Sequence, residues 1–159
     1  MKSTLRIAMP QVPFLPALRE LAGAYQAFEA YSAAHIRAIG LTPSQFDIIA
    51  TLGNTPGMPL KELGEKSLIT KGTLTGVVDR LTGKKLVRRI ASPSDGRSQT
   101  VQLTGKGEEL FARIFPDHLE HLQRAFVELT PEELAAMENT LRRLRAAFAT
   151  AHAQMKEAP

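Results

Sequence analysis

Residues 59–104 read PLKELGEKSLITKGTLTGVVDRLTGKKLVRRIASPSDGRSQTVQLT. Leu60 and Leu63 lie three apart, the spacing of a short helix with one apolar face. Ser67-Leu68-Ile69-Thr70 interrupts it as a turn, and Thr70 suits the N-cap of a second helix over roughly 71–84. That helix turns Leu74, Val77, Val78 and Leu81 inward, so Lys71, Gly72, Thr75, Gly76, Asp79 and Arg80 face out. Residues 86–91 then alternate, with Leu86, Arg88 and Ile90 expected on one side and Val87 and Arg89 on the other. Ser92-Pro93-Ser94-Asp95-Gly96 is dense turn chemistry, and residues 98–103 form the return strand. The whole reads as a helix–turn–helix followed by a β-hairpin with Asp95 and Arg97 near its tip.

Charge agrees with that order of parts. The 159-residue chain carries a formal net charge of +4, yet residues 59–104 hold nine bases against four acids, or +5, which leaves −1 for the remainder. A basic face confined to one module is the footprint of a polyanion partner. In a helix–turn–helix the second helix enters the major groove by its N-terminal half. Thr70, Lys71, Thr73 and Thr75 supply short donors, acceptors and methyl groups there. Lys66, Lys84, Lys85 and Arg88 suit phosphates, and Arg97, oriented by Asp95, suits the minor groove. Two glycines on the outward face cost about 1 kcal/mol each against alanine but allow something large to come close.

Outward from this module the pattern is helical. Prolines at 10, 13 and 16 mark residues 1–16 as an irregular extension. Leu18, Leu21, Tyr25, Phe28, Ser32, Ile36 and Ile39 form a long stripe that Gly40 stops. Thr42-Pro43-Ser44-Gln45 has the form of a capping box for a helix carrying Phe46, Ile48, Ile49 and Leu52. Residues 55–59 read as a loop, and Gly64 as a place where another backbone comes close. Thr104 starts a helix expected to reach about Glu128, with a kink or break at Pro116. Thr130-Pro131-Glu132-Glu133 opens a last helix with Leu134, Met137, Leu141, Leu144 and Phe148 in near-heptad spacing, fraying from Ala151. These stripes exceed what one layer covers, so pairing with a second copy is expected. No cysteine is present, which excludes disulfides. No signal peptide and no membrane-spanning run is read, which points to the cytoplasm and away from the membrane.

The runs Leu41-Thr42-Pro43-Ser44-Gln45-Phe46, Leu60-Lys61-Glu62-Leu63, Thr73-Leu74-Thr75-Gly76-Val77-Val78-Asp79-Arg80-Leu81, Gly83-Lys84-Lys85-Leu86-Val87-Arg88-Arg89, Asp95-Gly96-Arg97 and Leu103-Thr104-Gly105-Lys106-Gly107 together resemble the MarR family of bacterial winged-helix regulators. The resemblance is collinear from about residue 17 to 150. It implies a mainly α fold with a small β-hairpin wing, organised as an extension (1–16), a dimerisation helix (17–40), a winged helix-turn-helix module (41–104) and C-terminal dimerisation helices (105–159). It also implies a homodimer that binds pseudo-palindromic operators in double-stranded DNA, usually as a repressor released by a small aromatic or carboxylate ligand. Carried over by position, Lys71, Thr73 and Thr75 face bases and Arg97 the minor groove. Gly76 departs from the family, where many relatives carry a long polar or basic side chain.

In such regulators the effector pocket lies between the dimerisation helices and the winged module, which nominates His35, Ile36, Ile39, Phe46 and Ile49; the alternative for His35 is a histidine satisfied by a backbone carbonyl. His118 and His121 are three apart on one helix, but no cysteine or evident third ligand joins them, so no metal site is assigned. No nucleophile elbow and no phosphate-binding glycine loop is present, so neither enzyme activity nor a cofactor is expected. The competing readings are a winged-helix module for protein contacts and a metal-responsive regulator.

Overall fold

The structure, a computed structural model, describes residues 12–91 and 99–157. The wing tip, with Asp95 and Arg97, and residues 1–11 of the extension lie outside the described residues. In chain order the elements are α1 (Leu15–Ala38), α2 (Pro43–Leu52), β1 (Met58–Pro59), α3 (Leu60–Lys66), α4 (Lys71–Gly83), β2 (Val87–Ala91), β3 (Gln99–Leu103), α5 (Gly105–Gln123) and α6 (Pro131–Glu157). The chain divides into two compact units at His118 and Leu119.

Local signals set most boundaries. Thr42 and Gln45 close the expected capping box: the Gln45 N–H donates to Thr42 Oγ1 at 3.2 Å, and the Thr42 N–H to Gln45 Oε1 at 3.2 Å. Thr130 and Glu133 repeat it at the start of α6. Gly40, at φ +82°, lets the Leu41 N–H return to the Ile36 carbonyl and so ends α1.

Four boundaries differ from the sequence reading. Helix α1 starts at Leu15, ahead of Pro16, because a first-turn proline gives up an N–H that has no intrahelical partner anyway. Residues 58–59 are a strand, not a loop: Met58 pairs with Val101 and is buried beneath it, while Pro59 sits on an edge that needs no donor. The wing is therefore a three-stranded antiparallel sheet in the order β1-β3-β2. Helix α5 passes through Pro116 unbroken and stops at Gln123, followed by a 3-10 turn over Arg124–Phe126. Phe111, Ile114 and His118 are buried on both sides of the proline, so tertiary packing offsets the lost backbone bond. Helix α6 continues to Glu157, carried by alanines and long unbranched side chains.

The core lies in the first unit. Ile48, Ile49 and Leu52 of α2 meet Leu63 of α3, Val77, Val78 and Leu81 of α4, Val87 of β2 and Val101 of β3, all fully buried. Each such side chain contributes about 1.5–3 kcal/mol relative to exposure. In the hairpin, Val87 pairs with Leu103 and Arg89 with Val101. The buried side is that of Val87; Leu86 is buried from the preceding turn, not from the strand's opposite face, and Ile90 is exposed. Gly64 admits a side chain and not a backbone: a Cβ there would lie 3.0 Å from Leu74 Cδ2.

Candidate nucleic-acid interface

Helix α4 is held from three directions. Its inner stripe, Leu74, Val77, Val78 and Leu81, is buried. Gly64 of α3 accommodates Leu74. Asp47 of α2 reaches across to the turn before α4, where its Oδ2 accepts the Leu68 N–H at 2.7 Å. Burial raises the Asp47 pKa above the usual aspartate value, and the Leu68 N–H acts in the opposite direction. Asp47 therefore spends solvation to fix the entry of α4.

Thr70 stands at the N-cap in an extended conformation, but its hydroxyl lies 3.1 Å from the Thr73 hydroxyl and caps no backbone N–H. It is the Thr70 carbonyl that takes the N–H groups of Thr73 and Leu74. The expected side-chain cap is thus replaced by a Thr70–Thr73 pair, a polar edge at the exposed start of the helix. Lys71, Thr73 and Thr75 all stand exposed, Lys71 and Thr75 as the sequence pattern requires. A Cβ added at Gly72 would meet nothing within 4 Å.

The two lysines after α4 occupy a tight C-terminal motif. Leu86 donates its N–H to the Leu81 carbonyl, and Lys85 takes the left-handed conformation at φ 59° that usually falls to glycine. The Thr104 hydroxyl donates to the Lys85 carbonyl at 2.6 Å, and Lys106 Nζ donates to the Lys84 carbonyl at 3.2 Å. Both lysines are exposed on an anchored backbone, a geometry suited to phosphate. Gly107 lets α5 come close to this turn, since a Cβ there would fall 2.0 Å from the Leu86 carbonyl oxygen.

On β2, Arg88 is exposed and its Nε donates to Gln102 Oε1 of β3, while Gln102 Nε2 donates to the Pro56 carbonyl at 3.2 Å. Arg89 sits on the inner side, with Nη2 2.7 Å from Asp79 Oδ1 of α4. At that distance the guanidinium and the carboxylate are paired, while Nε is buried with no acceptor among the described residues. The pair ties the wing to α4. Lys66 pairs with Glu62 one turn earlier at 2.7 Å.

The second group nominated from sequence lies apart from this face. Ile36, Phe46 and Ile49 are part of the core, and Ile39 packs against it. The half-buried His35 meets a side chain: its Nδ1 lies 3.1 Å from His118 Nδ1. His118 is buried, its Nε2 lies 3.2 Å from Ser32 Oγ, and its ring centroid is 4.5 Å from that of Phe46. Phe115 extends the group, stacked on Phe46 and Phe111. Beside it a cleft of about 450 Å³ is lined by Leu52, Asn54, Thr55, Phe111, Phe115 and Pro116 among others. Among the described residues no set of three or more His, Cys, Asp or Glu is placed to hold a metal ion.

The sequence pattern places Ser32 in the α1 stripe and Arg89 beside Val87 but assigns neither a partner, and it leaves Asp47 unmarked. A lone aspartate on an apolar helix and a serine in a long stripe carry no local signal of a partner 21 or 86 residues away. Arg89 had a signal in its alternation with Val87, the residue that faces the core.

The sequence model of the MarR family matches residues 41–99. The HTH-type transcriptional regulator MhqR of Bacillus subtilis is 36% identical over 124 residues, covering 78% of this chain and 86% of the relative. Among solved structures, BpsR of Bordetella bronchiseptica, whose DNA binding is regulated by 6-hydroxynicotinic acid, superposes with a TM-score of 0.75 at 28% identity, covering 86% of this chain and 98% of that one. Sco3205 of Streptomyces coelicolor, a MarR family transcriptional regulator solved in complex with DNA, gives 0.77 at 26% identity over 89% and 92% of the two chains.

Proposed function

Because this chain belongs to the MarR family, whose members are DNA-binding transcriptional regulators and not enzymes, we propose that it acts as a homodimer on pseudo-palindromic operators in the cytoplasm, and represses transcription until a small aromatic or carboxylate ligand releases it. The observation that carries the DNA part is the α4 face: Lys71, Thr73 and Thr75 exposed above a fully buried stripe, flanked by the anchored Lys84 and Lys85. Thr70 and Thr73 shape the groove-entering end, Arg88 adds charge from the sheet, and Arg97, oriented by Asp95, serves the minor groove. Among the described residues no helix is long and apolar enough to cross a membrane.

The dimer reading rests on apolar side chains left in water. Leu18, Tyr25 and Phe28 on α1, and Met137, Leu141 and Phe148 on α6, are exposed at helical spacing. Two recognition helices must meet successive major grooves about 34–36 Å apart, which a monomer does not achieve. The ligand reading rests on the His35–His118–Ser32 chain within an aromatic group. To the wall of that pocket we assign His35, Ile36, Ile39, Phe46 and Ile49, and the imidazoles suit a carboxylate or phenolate. A ligand that binds better to a conformer with misplaced recognition helices shifts the population away from DNA.

The test is a gel shift against the DNA upstream of the chain's own coding region, with competitor and a panel of aromatic acids. A specific complex released by one of the acids is expected. Binding that competitor abolishes at every sequence favours the protein-contact reading, and unchanged ligand response in His35→Ala removes His35 from the pocket.

A further inference from the structure

The bare face of α4 has an occupant. Gly72, Gly76 and Arg80 follow one another at four-residue spacing, so they form a single row along the outward side. A Cβ added at Gly76 would meet one atom within 4 Å, Arg80 Nη2, at 3.8 Å. The guanidinium is therefore folded back over Gly76, a full turn, about 6 Å, toward the N-terminal end of the helix. That is the direction helical side chains favour. Arg80 is exposed, and the acid beside it, Asp79, is engaged by Arg89 of β2. Among the described residues Arg80 makes no ion pair of its own.

We propose that Arg80 is a base-reading residue, presenting its guanidinium through the gap over Gly76 to a guanine in the major groove. The assignment rests on the DNA-binding reading above and deepens it. The physical case has three parts. The N-terminal half of a recognition helix is the part nearest base edges, and Arg80, placed in the third turn, gains access to it only by lying along a row without side chains. Arginine offers a planar fork that matches O6 and N7 of guanine, the commonest specific contact. The absence of side chains at Gly72 and Gly76 lets the base edge approach the helix closely enough for the fork to engage. On this account Gly76 is required as open space: a larger side chain there would take the guanidinium's place.

The experiment is selection from randomised duplexes, followed by affinity and salt-dependence measurements on the selected site, for the wild type, Arg80→Lys and Gly76→Leu. The wild type is expected to enrich a G·C pair at one position of each half-site. Arg80→Lys keeps the charge but loses the fork, so discrimination at that position should fall about tenfold to hundredfold while the salt slope stays unchanged. Gly76→Leu should lose the same preference with Arg80 still present and thermal stability retained, since Gly76 lies on the outward face and a Cβ there meets only Arg80 within 4 Å. Arg80→Lys enriching the wild-type sequence at every position overturns the assignment, as does Gly76→Leu with an unaltered preference. A wild type that enriches no sequence at all overturns the DNA reading along with it.

Discussion

Helices α4 and α6 both carry an apolar stripe at helical spacing, and their fates are opposite. The stripe of α4 is fully enclosed by its own chain, and Val78 and Leu81 show no exposed surface. On α6, Met137 and Leu141 stand 40% and 45% exposed. One stripe is consumed in folding and the other remains available. The outward faces differ as well: α4 carries glycines, threonines, two cations and Asp79, the last engaged by Arg89 of the sheet, whereas α6 carries an ordinary ion pair within the helix, Arg142–Glu138. A sequence stripe thus reports that a helix needs a partner, without saying whether that partner is the same chain.

Substitutions in the two stripes separate these roles. Leu81→Ala leaves a cavity in the core and should cost about 2–5 kcal/mol, read as a lower urea midpoint. An effect below 1 kcal/mol would mean the α4 stripe is less enclosed than its exposure indicates. Leu141→Glu should leave the folded first unit intact but forfeit about 1.5–3 kcal/mol of apolar burial per protomer at an interface between copies. Sedimentation should then show monomers where the proposed homodimer predicts dimers for the wild type, with DNA affinity falling in parallel. An unchanged sedimentation coefficient would remove α6 from the interface.

The glycines sharpen the contrast on a smaller scale. Gly107→Ala drives a methyl into the Leu86 carbonyl and should destabilise by about 1–3 kcal/mol. Gly76→Ala meets only ordinary contact with Arg80, and should instead gain up to about 1 kcal/mol of helix stability. Thermal melts of the pair should move in opposite directions.

Asp47 gives the smallest effect, and it depends on pH. Its pKa is raised in the folded state, so the native protein holds the proton more tightly than the unfolded chain. Its contribution therefore favours folding in acid and weakens as pH rises from the ordinary aspartate range through the raised value. Asp47→Asn keeps an oxygen for the Leu68 N–H and removes the titration. The fall in stability across that window should be shallower in the variant, measured by denaturant midpoints at a series of pH values.

Most elements were legible because their signals are local. Thr42 with Gln45, Thr130 with Glu133, and Gly40 each specify a helix end within a few residues of chain. The α4 inner stripe was legible for the same reason, and so was the exposure of Lys71 and Thr75. Proline is the less reliable signal: Pro16 falls in a first turn and does not hold off the helix, and of the kink or break expected at Pro116 the break is absent, overridden by buried neighbours. Met58 was read as loop because two residues carry no alternation; its strand exists only because β3 arrives beside it.

Sequence alone determined the helix–turn–helix, its basic excess and the family to which the chain belongs, since all three are written in residue types at short spacing. Tertiary structure decided which charged groups are engaged and where they point. Arg89 is drawn to Asp79, His35 to His118 across 83 residues, and Arg80 folds back over Gly76. The physical reason is reach. Caps and stripes act within a turn or two of backbone, whereas a side chain's partner is set by whichever element the fold brings within a few ångströms.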